Sequence, residues 1–168
     1  MRPPAKFGID ELPPEILAGI GRIVAWWGYL QFQLGVIIRE ATKLRKETGR
    51  VLTVGPEIGV LCNIIRTITF SDYWIKDDAI RSDLQKLGED VRKKSDNRND
   101  YAHGVFGYKG DNPKVFVRHL MRLPSHRIVP DEEPITPESL KKFSDEARAL
   151  WVRAQEITHK LKALKQKH

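Results

Sequence analysis

The chain has little cysteine and no long hydrophobic run, and both shortages narrow the class of protein. Cys62 is the only cysteine among 168 residues, so a disulfide-stapled scaffold is excluded. The longest uncharged run, residues 23–38, has 16 residues and two glutamines, whereas a membrane-spanning helix needs about 20 apolar residues. The first residues lack the apolar segment of a secretion signal. We therefore expect a cytoplasmic protein that does not associate with membranes.

Several familiar chemical motifs are missing as well. The sequence has no glycine-rich phosphate loop and no nucleophile elbow. Its five histidines are scattered and its cysteine is alone, so no metal-ligand cluster is predicted. We expect neither a metal nor a cofactor.

Acidic residues are outnumbered by basic ones. The chain has 22 Asp and Glu against 29 Lys and Arg, which gives a formal net charge of +7 and a pI of about 9.6. Such a balance favours a polyanionic partner, and RNA is the expected one. A hydrophobic content of 40% is enough for the core of one domain.

Four segments carry apolar residues at alternating steps of three and four, the spacing of one helix face. The first is expected to end at Gly49, and the second is apolar nearly all round, so it should be buried. The third begins near Asp77, and the fourth begins at a Thr136 cap. The four stripes are Ile16, Ile20, Ile23, Trp27, Leu30, Leu34, Ile37, Ala41 and Leu44; Ile58, Leu61, Ile65 and Ile68; Ile80, Leu84, Leu87 and Val91; and Leu140, Phe143, Ala147, Leu150, Ala154, Ile157, Leu161 and Leu164.

These stripes predict an all-α fold, an antiparallel bundle of four main helices. Residues 104–135 interrupt it with seven Pro or Gly residues. There we expect a small β-hairpin, formed by residues 105–108 and 114–121, and then a loop. The expected layout is a loose N-terminal arm over residues 1–14, a single helical domain over residues 15–164 and a basic tail over residues 165–168.

The third helix contains an anomaly. Beyond Val91 its stripe reaches Lys94 and Arg98, and an inward arginine is costly unless an anion meets it. Asn99 and His103 are four residues apart and therefore neighbours on an adjoining face. A guanidinium, an amide and an imidazole are thus expected together at the end of this helix.

These three groups suit RNA cleavage. A base with a pKa near neutral takes the proton of the 2′-hydroxyl, and histidine is the usual choice. Arginine stabilises the charge that develops on the phosphate. DNA has no 2′-hydroxyl, so we expect such a site to spare it.

The segment Arg98-Asn99-Asp100-Tyr101-Ala102-His103-Gly104 resembles the signature of HEPN (higher eukaryotes and prokaryotes nucleotide-binding) domains, which is Arg, a polar residue, three residues and His. Many members are metal-independent ribonucleases in toxin–antitoxin, phage-defence and RNA-processing systems. The resemblance implies an up-and-down helical bundle and a homodimer with a composite active site. It also implies that Arg98 and His103 are catalytic and that Asn99 orients them.

The resemblance also makes an antitoxin or other regulatory protein an expected partner. Members controlled by a nucleotidyltransferase antitoxin carry a tyrosine two residues beyond the histidine. Val105 stands there in this chain, so control by tyrosine modification is not expected.

Four basic residues in the predicted hairpin and its exit loop are candidates for RNA binding. Arg118, His119, Arg122 and Arg127 would follow the phosphate backbone beside the cleft. The alternative is a solvated loop with ordinary surface charge.

Other interpretations of the signature stay open. Arg98, Asn99 and His103 would also suit a helix C-terminus, where basic groups satisfy carbonyls and the helix dipole. The chain would then be a non-catalytic RNA- or protein-binding module, or a dimerisation adaptor. Arg153 and His159 form a decoy with permitted spacing, but Ala154 follows that arginine.

Overall fold

The structure, a computed structural model, describes residues 12–103, 105–109, 112–122 and 129–166, and most of these are helical. The elements are α1 Pro14–Thr42, α2 Lys46–Thr53, α3 Ile58–Thr69, α4 Asp78–His103, β1 Val105–Lys109, β2 Asn112–Arg122, β3 Val129–Pro134 and α5 Pro137–Gln166. No helix within the described ranges has the length and apolar character needed to cross a membrane.

The chain divides into two compact units. Residues 1–24 and 97–145 form the smaller unit, and residues 25–96 and 146–168 form the larger one. Of the predicted N-terminal arm, residues 1–11 lie outside the described part of the chain. The single domain over residues 15–164 stays a prediction.

Side-chain caps set the start of two helices where the sequence predicted them. The Asp77 carboxylate accepts a hydrogen bond of 3.0 Å from the Ile80 amide at the start of α4. The Thr136 hydroxyl accepts one of 3.1 Å from the Ser139 amide, and the Ser139 hydroxyl accepts one of 3.0 Å from the Thr136 amide. These reciprocal bonds satisfy donors that a helix N-terminus leaves unpaired.

The predicted stripes form the core, with one correction. Almost every stripe residue is buried; Ile20, Leu44 and Leu164 are half-buried. The second predicted helix, α3, is buried on one face only and exposes Val60 and Arg66. The expectation that it is buried all round was wrong, because its polar residues share one side.

The first predicted helix is two helices. Helix α1 ends at Thr42, Lys43 takes a left-handed backbone conformation with φ of 53°, and Gly49 lies within α2. Helix α2 runs back along α1. Gly49 lies close to Arg39 and Gly35 lies close to Thr53, since a Cβ on either glycine would contact that residue. The Arg39 guanidinium also donates a hydrogen bond of 3.3 Å to the Thr53 hydroxyl.

Within the larger unit, the other contacts give the helix directions. Helix α4 runs antiparallel to α3, through Asn63 with Arg92 and Ile65 with Gly88. It also runs antiparallel to α5, through ion pairs that join Asp83 to Lys160, Asp90 to Arg153 and Lys94 to Glu146.

Helices α1 and α5 run parallel in this unit. Trp26 contacts Trp151, and Gln33 donates to the Thr158 hydroxyl at 2.7 Å, so the residue numbers rise together. Strict alternation of four helices would make these two antiparallel. The additional helix α2 reverses the chain once more, which makes α1 and α5 parallel.

In the smaller unit the strands form one antiparallel sheet in the order β1-β2-β3. Val105 pairs with His119 in the β1–β2 register, which shifts between Tyr108 and Lys109. The β2–β3 register pairs Arg122 with Val129. The sequence predicted a two-stranded hairpin and then a loop, and β3 lies in that predicted loop. Its two prolines and three acidic residues are poor strand formers, which is why the pattern did not indicate it.

Two glycines of α1 in the smaller unit make a matched pair for a stability test. A Cβ on Gly19 would lie 2.8 Å from Leu140 Cδ1 and 2.9 Å from its Cβ, whereas a Cβ on Gly21 would meet nothing within 4 Å. Both Gly→Ala changes gain about 1 kcal/mol of helix propensity, but overpacking costs about 1–3 kcal/mol at position 19 alone. We expect G21A to raise the midpoint of thermal unfolding and G19A to lower it, as measured by circular dichroism. Equal shifts would contradict the close approach of Leu140.

Candidate functional site

The predicted catalytic residues lie in the last turn and a half of one helix. Helix α4 continues to His103, and Arg98 is half-buried while Asn99 is exposed. The Arg98 guanidinium donates a hydrogen bond of 2.9 Å to the Asn99 side-chain carbonyl. On an α-helix, positions 99 and 103 are about 40° apart around the axis, and positions 98 and 103 are about 140° apart. The guanidinium and the amide are therefore joined, one turn before the histidine position.

The histidine itself is described only by its backbone. His103 is the final residue of α4, and its side chain, together with Gly104, lies outside the described residues. The expected approach of imidazole and guanidinium stays a prediction.

Tyr101 anchors this end of α4. It is buried, and its ring lies 5.1 Å from that of Phe143 on α5, at an interplanar angle of 37°. Tyr101 is therefore a core residue of the smaller unit. Because Tyr101 faces inward, Asn99, two positions away, faces solvent.

The inward stripe of α4 takes a different path from the predicted one. Beyond Val91 it continues through Ser95, which is buried, while Lys94 and Arg98 are only half-buried. The Ser95 hydroxyl donates to the Arg92 carbonyl at 2.8 Å, so a polar residue is satisfied inside the stripe. Lys94 forms an ion pair with Glu146 of α5. Arg98 follows Ser95 by three positions and is half-buried, so it lies on the predicted stripe without being fully enclosed.

The predicted RNA-binding residues lie on the central strand or outside the description. Arg118, His119 and Arg122 belong to β2, and Arg127 lies outside the described residues. In the Cα register, Arg118 is opposite Glu133 and His119 is opposite Glu132. Acidic positions of β3 therefore lie opposite two of the predicted RNA-binding positions of β2.

A groove in the larger unit was missed by sequence reasoning. It has a volume of about 350 Å³ between α3 and α4, and its lining residues are Cys62, Ile65, Arg66, Thr69, Phe70, Gln85, Gly88, Glu89 and Arg92. Gly88 of α4 lies close to α3, since a Cβ there would come within 3.2 Å of Ile65 Cγ2, and the helix spacing gave no signal for the groove. Two guanidiniums, one carboxylate and a thiol line the groove.

That thiol is a poor nucleophile. Burial raises the pKa of Cys62 to about 11, although the Arg92 guanidinium opposes the shift. A thiol with this pKa is protonated at neutral pH, and the thiolate is the reactive form. Cys62 therefore acts as a small apolar residue of the core.

Comparison with known proteins finds no matching family model, no similar curated protein and no similar solved structure. Within the described ranges, no three His, Cys, Asp or Glu side chains lie close enough together to hold a metal ion.

The pKa of Cys62 predicts a loss of stability in alkaline solution. Its folded value of about 11 exceeds the ordinary value of 9.0, so the protonated thiol favours the folded state. The contribution is complete below pH 9 and is lost as the pH rises through 11. Relative to Cys62→Ala, we expect the free energy of unfolding to fall by about 2–3 kcal/mol between pH 8.5 and 11.5. Urea unfolding at several pH values measures this difference, and parallel pH profiles for the two chains would contradict it.

Proposed function

We propose that this chain is a HEPN-type endoribonuclease that cleaves RNA without a metal ion. The observation that carries the proposal is the Arg98 guanidinium, half-buried and hydrogen-bonded to the exposed Asn99 amide, one turn before the histidine that ends α4. The resemblance of residues 98–104 to the HEPN signature supports it. So does the alternation of α3, α4 and α5 in direction, since the resemblance implies an up-and-down bundle.

The proposed reaction is an internal transfer within the RNA. An imidazole of His103 takes the proton of a 2′-hydroxyl, and the 2′-oxygen then forms a bond to the adjacent phosphorus. The bond from phosphorus to the 5′-oxygen breaks, and that oxygen receives a proton from a second, protonated imidazole. The products end in a 2′,3′-cyclic phosphate and a 5′-hydroxyl.

Arg98 stabilises the phosphorane in this scheme, because its planar fork matches two phosphate oxygens. The Asn99 amide holds that guanidinium through the bond of 2.9 Å. This bond uses the carbonyl of Asn99 and leaves the amide hydrogens available for substrate.

The second imidazole comes from a second copy of the chain. We propose a homodimer in which the two signatures face each other across a composite cleft. The setting proposed is the cytoplasm, in a toxin or phage-defence effector held in check by an antitoxin or another regulatory protein.

The alternative proposal is a non-catalytic HEPN-like module that binds RNA or protein. The position of Arg98 in the last turns of α4 favours it, because a cation there stabilises the helix dipole without any chemistry. Salt-sensitive RNA binding, without cleavage, would distinguish this module from the enzyme.

An RNA cleavage assay in EDTA tests the catalytic assignment. Loss of a general base lowers the rate by about 100- to 10,000-fold, and we expect this range for His103→Ala. Loss of a donor to the developing charge costs about 100- to 1,000-fold, and we expect this range for Arg98→Ala. His159→Ala is the matched control, since His159 is exposed on α5 and belongs to the decoy pair.

The chemical class of the ends is a second measurement in the same assay. Mass spectrometry of the products should find 2′,3′-cyclic phosphate ends. A substrate with a 2′-deoxy nucleotide at the cleavage position should resist cleavage, because it lacks the attacking hydroxyl. Full activity in His103→Ala, or equal losses in His103→Ala and His159→Ala, would discard the assignment.

A mixing experiment tests the composite cleft. Heterodimers of Arg98→Ala and His103→Ala protomers lack one guanidinium and one imidazole, so we expect them to be less active than the wild-type dimer. Activity at equal protein concentration, with the mass measured by light scattering, is the readout. A strictly monomeric active species would refute the shared site.

A further inference from the structure

The groove between α3 and α4 in the larger unit, here called the α3–α4 groove, carries two guanidiniums along its length. The Arg92 guanidinium of α4 donates a hydrogen bond of 2.6 Å to the Asn63 side-chain oxygen of α3, so it reaches the level of position 63. Arg66 follows three residues further on α3, which is about 4.5 Å along the helix axis. Both guanidiniums line the groove, and both keep their charge at every physiological pH.

The Arg66 side chain is available to a ligand. It is exposed, and within the part of the chain that the structure describes it makes no hydrogen bond or ion pair. Glu89 is the one carboxylate among the lining residues, and it accepts a hydrogen bond of 3.1 Å from the Gln85 amide instead. Arg92 uses one of its five N–H donors on Asn63. The lining therefore has an excess of positive charge with donors to spare, which favours an anionic ligand.

An exposed aromatic ring lies at the other end of the α3–α4 groove. Phe70 lines the groove and is 92% exposed, and it follows Arg66 by one turn, or about 6 Å along the axis. Tyr73 and Trp74 on the same connection are also exposed, and their rings lie 4.8 Å apart. Single exposed hydrophobic residues are ordinary on a protein surface, whereas three aromatic residues within one short segment indicate a contact surface.

The combination of charge and ring is typical of a site for single-stranded nucleic acid. Such sites hold the phosphates in a positively charged groove and stack the bases on aromatic side chains. A base within a duplex is stacked on its neighbours and does not offer its face to a ring such as Phe70. The volume of about 350 Å³ is near the lower limit of ligand pockets, so it suits one nucleotide of a single strand and not a duplex.

We propose that the α3–α4 groove binds single-stranded RNA, with Arg92 and Arg66 on the backbone phosphates and a base stacked on the Phe70 ring. The choice of RNA over DNA rests on the proposed function, because phosphates and base faces are common to both polymers. The groove belongs to the larger unit and residues 98–103 belong to the smaller one. The proposal therefore concerns the binding of the substrate and not its cleavage.

The binding of a strand that cannot be cleaved tests the stacking contact. A short labelled RNA with a 2′-O-methyl group on every nucleotide has no 2′-hydroxyl for the proposed reaction, and fluorescence anisotropy measures its affinity for the full chain. We expect Phe70→Ala to weaken binding by about 5- to 150-fold, the range for loss of one base–aromatic stack. We expect no change in the binding of a duplex of the same length.

Phe32→Ala is the matched control for the stacking test. Phe32 is an exposed phenylalanine of the same unit, but it lies within the uncharged stretch of residues 23–38. We expect this variant to bind the strand like the wild type. Circular dichroism checks that both variants fold, and Phe70→Ala should leave the midpoint of thermal unfolding unchanged because so little of its ring is buried.

The salt dependence of binding tests the phosphate contacts. Each phosphate of a single strand that a protein neutralises contributes about 0.7 to the slope of log affinity against log salt concentration. We expect Arg66→Gln to lower the slope by about this amount. Arg50→Gln is the control, since Arg50 is exposed on α2, and it should keep the wild-type slope.

Three results would overturn the groove proposal. They are a wild-type chain that does not bind the strand, equal effects of Phe70→Ala and Phe32→Ala, and equal affinity for the strand and for polyglutamate, which has negative charge but no bases. Cleavage of unmodified RNA is measured separately. A chain that binds the strand through Phe70 and Arg66 without cleaving RNA would support the groove and discard the ribonuclease, so the two failures are distinguishable.

Discussion

Burial of a single apolar stripe fixes the rotation of α4 within the larger unit. Leu84, Leu87 and Val91 on this stripe are fully buried, and each such side chain contributes about 1.5–3 kcal/mol. Ion pairs on the flank of a helix are weaker than that, since solvent screens them. The pairs between α4 and α5 therefore follow the rotation instead of setting it. Within the smaller unit, burial of Tyr101 against Phe143 acts in the same way on the last turns of α4 and leaves Asn99 in solvent.

The helices could be read from the sequence because their core residues are apolar and evenly spaced. The caps at Asp77 and Thr136 could be read as well, since a carboxylate or hydroxyl before an apolar stripe satisfies the free amides of a first turn. The break after Thr42 could not, because the apolar spacing runs on to Leu44 while the backbone turns at Lys43. Spacing reports which face is apolar, and it does not report where the chain reverses.

The residues of the candidate site could be named from the sequence, whereas their burial and their neighbours could not. The signature placed Arg98 and Asn99 in one helical segment, as the structure has them. It could not give the partial burial of Arg98, because burial depends on which other elements pack beside that part of the helix. The acids opposite Arg118 and His119 were missed for a similar reason: the partner of a strand residue depends on register, and three residues of β3 carry the charge. Long-range neighbours decide both features.

The eight residues of α2 also set the parity of the fold. Between α1 and α5 the chain reverses four times, and an even number of reversals returns it to its starting direction. Removal of residues 43–57 would leave an odd number of reversals between α1 and α5. Helix α5 would then run antiparallel to α1, and Trp151 would no longer lie beside Trp26. The short helix α2 is therefore a topological element and not a dispensable connector, because its loss would reverse the direction of α5 relative to α1.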